Sequence, residues 1–188
     1  GHSGVDYGQV LYSRAPWAVD PGQAVLYAEA HDNLTLWDKL LCTTWPEQEF
    51  DRVAMLKLAQ VLVLTSQGIP FLHAGQEFAR TKGGDPNSYQ SPDHVNQIDW
   101  ERKGEFFELY EYTRGLIRLR KSRPAFRLRT GREVREKLHF LKMPARNMLG
   151  YALGPHANGD CYETILVLIN SNEVPYQVPI PTGEWEVL

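Results

Sequence analysis

Three polar clusters hold most of the chemistry in this sequence, and each follows a short apolar run. The first is His31-Asp32-Asn33. The second runs from His73 to Glu77. The third is the loop Arg80-Thr81-Lys82-Gly83-Gly84-Asp85-Pro86-Asn87-Ser88-Tyr89. An imidazole donates or accepts a proton, and a fixed carboxylate stabilises a positive charge that develops beside it. Each cluster also has a purely structural reading. A His-Asp pair after a strand serves as a structural pair or a helix cap. His73 alone reads as a core histidine bonded to backbone. The Asp/Asn/Ser/Gly loop is ordinary turn chemistry, with Tyr89 and Trp100 as its anchors. The functional reading is favoured because the clusters follow consecutive strand ends. Parallel α/β folds and barrels bind ligands at such ends.

Other chemistries find no support. The sequence has no G-x-S-x-G elbow, no G-x-x-x-x-G-K-[ST] loop and no H-E-x-x-H pair. Gly115, Gly131 and Gly150 make no dinucleotide fingerprint. Cys42 and Cys161 are the only cysteines among 188 residues, too few for a disulfide framework, and are expected to be free and buried. The net charge of −3 gives nucleic acid no electrostatic invitation. The basic run from Arg114 to Arg135 reads as a helix end and an interdomain surface. Ile165 to Ile169, the longest aliphatic run, is far short of the roughly 20 residues that span a membrane. No charged segment leads into an apolar stretch as in a signal peptide. The start at Gly1-His2-Ser3, native or left by a tag, and the strand-like end at Leu188 lead us to expect a fragment.

The elements that must position these clusters follow from periodicity. Residues 1–22 read as a loop with at most a short ordered turn. Ala24 to Ala30 reads as a short strand buried on both faces. Thr35 to Leu41 reads as a short helix. A longer one opens with Glu49 and Asp51 in its first turn and ends before Gly68. Ile69 to Ala74 is a second strand. Gly75 to Trp100 is a long irregular stretch, expected to be ordered because of its Phe78, Tyr89, Val95, Ile98 and Trp100. Glu105 to Arg120 is a clear amphipathic helix. After Pro124 the period changes. Val134–Leu141, Met148–Leu153, Thr164–Asn170 and Val174–Ile180 read as strands of an antiparallel sheet. Pro175, Pro179 and Pro181 mark the last as an edge. A domain boundary is placed near residue 124.

At this point the sequence resembles a known family. The run Tyr27-Ala28-Glu29-Ala30-His31-Asp32-Asn33-Leu34-Thr35-Leu36-Trp37-Asp38-Lys39-Leu40 resembles the fourth signature region of the α-amylase superfamily, in its type I pullulanase form. Leu64 to Lys82, Asn87-Ser88-Tyr89, Ser91-Pro92-Asp93 and Val95 to Trp100 are similar to the same family. The similarity is strong over residues 24–123 and weak over 124–188. It implies the last two strand-helix units of a (β/α)8 barrel in residues 1–123. It also implies a truncated antiparallel β-sandwich domain in residues 124–188.

The implied activity is retaining hydrolysis of α-1,6 branch links in pullulan, starch or glycogen-derived dextrins. In the family, the nucleophile and the general acid lie on barrel strands four and five, which this sequence does not contain. What it carries is the third carboxylate, Asp32, which stabilises the oxocarbenium-like transition state, and His31, which hydrogen-bonds the same sugar. Asn33, Arg80, Asp85, Asn87 and Tyr89 are the expected substrate contacts, offering paired polar groups and a flat apolar face. No cofactor is required. Calcium is common in the superfamily, but no carboxylate cluster here is assigned to it. The chain alone is expected to be inactive, and to pair with the missing barrel or self-associate through open sheet edges. The alternatives are an isoamylase, glycogen-debranching or branching enzyme, and a non-catalytic glucan-binding module. A targeting signal would lie upstream, so an extracellular and a cytoplasmic location in a bacterium stand equally open.

Overall fold

A computed structural model describes Gly8 and residues 15–188; most of the expected loop over 1–22 therefore lies outside the described residues. The chain divides into two compact units, one of residues 25–66 and 70–118, the other of the described part of 1–24 with 67–69 and 119–188. Along the chain, β1 (Val25–Leu26) is followed by α1 (Leu36–Thr43), α2 (Glu49–Thr65) and β2 (Ile69–Pro70). A stretch with 3-10 turns at Gln76–Phe78 and Ser88–Gln90 then leads to α3 (Asp93–Asn96), α4 (Arg102–Glu105) and α5 (Phe107–Ser122).

β1 and β2 pair through Ile69 N–H to Ala24 O (2.9 Å) and Phe71 N–H to Leu26 O (2.8 Å). Donor and acceptor advance together along the chain, which is the parallel pattern. Both strands are shorter than expected, and Val25, Tyr27, Ile69 and Phe71 are exposed rather than buried. A two-stranded pair leaves each strand one open edge and little cover, so its ladder ends early. The unit's core lies elsewhere. Trp37, Leu56, Phe78, Ala79, Phe106 and Leu109 pack together, with Trp37 and Phe106 edge to face at 5.2 Å. Arg102 lies over the Phe106 ring at 4.7 Å and donates to Ala79 O through two nitrogens, closing the end of this cluster.

In the second unit, α6 (Gly131–Lys137) leads into the antiparallel meander β3 (Leu138–Phe140), β4 (Met148–Leu153) and β5 (Ile165–Asn170). The register sets Leu138 opposite Leu153, and Leu153 opposite Ile165, so the buried residues share a row. Two expectations are corrected here. The strand expected over Val134–Leu141 is helical as far as Lys137. The Thr130–Glu133 capping box and the Arg132–Glu136 pair (2.7 Å) favour helix over a short apolar alternation. Val174–Ile180 forms no strand, since Pro175 and Pro179 have no N–H to give a ladder. The helix expected over Glu105–Arg120 is broken at Phe106 into α4 and α5. Arg120 is buried and donates to Gly68 O at 2.8 Å, and burial lowers its pKa. Cys42 and Cys161 are free, as expected, but exposed.

Candidate functional site

The candidate residues all lie in the first unit, on the loop after β1 and the loop after β2. The first loop is pinned at its base by Glu29, which is buried. One Glu29 oxygen accepts from Leu36 N–H at the start of α1, and the other meets His73 Nδ1 at 3.0 Å. Thr35 caps α1 by accepting from Asp38 N–H at 3.1 Å. Between these fixed points the chain must reverse within a few residues. Asn33 takes the left-handed conformation (φ 64°) that asparagine tolerates better than most residues. The turn pushes His31 and Asp32 outward. Their side chains are 82% and 78% exposed, with Nε2 and Oδ2 3.6 Å apart.

His73 is buried as expected, but its ring bonds side chains rather than backbone. Arg80 Nη1 lies 3.2 Å from its Nε2. A guanidinium only donates, so Nε2 accepts and Nδ1 carries the proton offered to Glu29. Arg80 also donates to Ala74 O (3.0 Å) and Asn96 O (2.5 Å), so its fork braces the loop from within.

The second loop is fixed by Asp38 and Lys82, both buried. The Asp38 carboxylate accepts from the Thr81 hydroxyl and, at 2.8 Å, from Lys82 N–H. Lys82 Nζ donates to His31 O at 2.7 Å and to Ser88 Oγ at 2.9 Å. The two candidate loops are therefore joined through one ammonium. Asp85 accepts from Asn87 N–H (2.8 Å) and from the Ser91 hydroxyl. The Ser91 bond, then the Asn87 bond, then the Lys82 charge hold its carboxyl below the ordinary carboxylate value. Asn87 is exposed, and Tyr89 is 75% exposed.

The structure thus pairs His31 with Asp32, joins Asp85 to Asn87, and turns Arg80 toward the scaffold. Sequence reasoning missed Glu29, Asp38 and Lys82. A lone carboxylate inside the apolar run Tyr27 to Ala30 was the available signal for Glu29. Among the described residues, no group of three or more His, Cys, Asp or Glu is placed to hold a metal. Exposed imidazole, carboxylate and amide groups on a braced rim beside a flat ring can bind a polyhydroxylated ligand.

Comparison with known proteins bears on the chain as a whole. The family described as "Pullulanase, all-beta domain" matches residues 134–188. The pullulanase of Bacillus subtilis is 38% identical over 174 residues, which is 87% of this chain and 24% of that protein. The chain is similar to pullulanases over most of its length, and its residues 134–188 match their all-beta domain. Pullulanase from Paenibacillus barengoltzii, solved in complex with maltohexaose and alpha-cyclodextrin, is 47% identical with a TM-score of 0.85, over 94% of this chain and 27% of that one. Pullulanase from Bacillus acidopullulyticus is 41% identical, also with a TM-score of 0.85, over 88% of this chain and 20% of that one. The chain spans about a quarter of the length of these pullulanases.

Proposed function

We propose that this chain is one part of a pullulanase-type glycoside hydrolase that cleaves α-1,6 branch links in α-glucans with retention of configuration. In this reading, residues 1–123 supply the last two strand-helix units of a (β/α)8 barrel. Residues 124–188 supply a C-terminal β-sandwich domain. The observation that carries the reading is the exposed His31–Asp32 pair on a loop pinned by buried Glu29 and Lys82. Its support is the 47% identity to a pullulanase solved with maltohexaose.

Asp32 is the anion beside the sugar as positive charge develops at its anomeric carbon. A fixed, exposed carboxylate gains most in that transition state and little in the ground state. His31 hydrogen-bonds hydroxyls of the same sugar. Asn33, Asp85, Asn87 and Tyr89 contact neighbouring sugar units, and Arg80 acts through the loop it braces. The nucleophile and the general acid, two further carboxyl groups, come from the remaining barrel. The isolated chain is accordingly inactive.

The test is Asp32→Asn in the longer enzyme, assayed on pullulan. A loss in kcat of about 100-fold or more is expected, the size seen when one transition-state group is removed. A loss under about threefold, far below that range, overturns the role of Asp32. Release of maltotriose from pullulan supports the α-1,6 reading. Action on glycogen or amylopectin alone points to a glycogen-debranching or isoamylase-type enzyme instead.

A further inference from the structure

We propose that Lys82 is a positioning residue whose buried ammonium sets the His31–Asp32 loop in register with the loop carrying Asp85, Asn87 and Tyr89. The proposal rests on the sugar-binding reading of His31 and Asp32 given above. Lys82 is only 3% exposed, and it is held at both ends. Its backbone N–H is bound by Asp38 of α1, and its Nζ by His31 O and Ser88 Oγ. Ser88 in turn is fixed on its carbonyl by Asn96 Nδ2 at 2.7 Å, and Asn96 also donates to Ser91 O at 3.0 Å.

A buried ammonium is tolerated only while its protons have partners. Shifting the His31 carbonyl removes one of them, so the ammonium resists displacement of the loop. The carbonyl it holds belongs to His31 itself and starts the peptide bond to Asp32. Any shift there moves the two exposed side chains directly. Ser88, the other partner, sits between Asn87 and Tyr89. One charge therefore controls the spacing of two sets of groups that must meet the same oligosaccharide. The side chains that touch sugar are exposed, and the group that spaces them is not.

The test compares Lys82→Met, Lys82→Arg, Ser88→Ala and Asp32→Asn in the longer enzyme. It measures kcat and KM on pullulan, maltotriose affinity by calorimetry, and folded fraction by circular dichroism at the assay temperature. Lys82→Met keeps the length of the stem without its donors. It is expected to lower kcat/KM by about 10–100-fold in the folded population, the effect of a displacement near 1 Å. Lys82→Arg should recover most of that loss. A kcat/KM within about twofold of the parent in folded Lys82→Met overturns the proposal, since a merely structural lysine would alter only the folded fraction. If Lys82→Met does not fold, Ser88→Ala decides. It removes one neutral partner and should cost about 3–10-fold, and an unchanged kcat/KM overturns the proposal. An unaffected Asp32→Asn overturns the site reading itself, and the role of Lys82 falls with it. A damaged Asp32→Asn beside an unaffected Lys82→Met sinks the positioning role alone.

Discussion

Asp85 shows how local bonds can hold a partly exposed carboxylate in its charged form. The Ser91 hydroxyl, the Asn87 amide and the Lys82 charge all favour the anion. Its folded pKa is depressed, so its contribution is present above the unfolded value and is lost as pH falls through the folded one. The 85–91 turn should therefore stay intact at neutral pH and loosen only as pH drops below about 4. Ser91→Ala removes the largest cause, and a carboxyl-carbon NMR titration should show the Asp85 midpoint rising toward the ordinary value. An unmoved midpoint would contradict this account. At this scale the sequence marks the exposed residues of the proposed site. His31, Asp32, Asn87 and Tyr89 stand out as polar or aromatic residues in loops. Glu29 and Lys82 do not stand out, because their partners His73 and His31 lie 44 and 51 residues away. Nothing in the local spacing announces such a bond.

At the scale of elements, long periodic segments are readable and short ones are not. α2 spans 17 residues, and its acidic first turn and apolar spacing point the same way. In α6, a run of only 7 residues, the alternation beginning at Val134 misleads. The box that decides the matter sits just upstream. Thr130 Oγ1 accepts from Glu133 N–H at 3.2 Å, and Glu133 accepts from Thr130 N–H at 2.9 Å. Removing the cap with Thr130→Ala should cost about 0.5–2 kcal/mol, read from a denaturant midpoint. A change below about 0.3 kcal/mol, less than a lost cap ordinarily costs, would mean that the following meander rather than the cap holds α6. The strands β1 and β2 lie where the apolar runs place them but are shorter than those runs. An apolar run says where a strand begins, whereas its length depends on neighbours that local sequence does not name.

At the scale of the whole molecule, β1 and β2 pair only with each other among the described residues, with Val25, Tyr27, Ile69 and Phe71 exposed. Tyr27 and Phe71 meet edge to face at 6.1 Å. Open edges with large apolar side chains template further pairing. Sedimentation velocity on the isolated chain should show oligomers, and Tyr27→Lys with Phe71→Lys should shift them toward monomer. A monomeric parent chain would remove this expectation. The bond from Lys82 to His31 has a consequence in time as well as in space. A ribosome adding about 5–20 residues per second needs about 3–10 s to make the 51 residues between them. Glu29 likewise waits for His73, 44 residues later. Through that interval the segment bearing His31 and Asp32 has no ammonium beneath it. The edge bearing His31 and Asp32 is thus anchored by a residue synthesised after it, and any translation pause before Lys82 lengthens the time it spends unanchored.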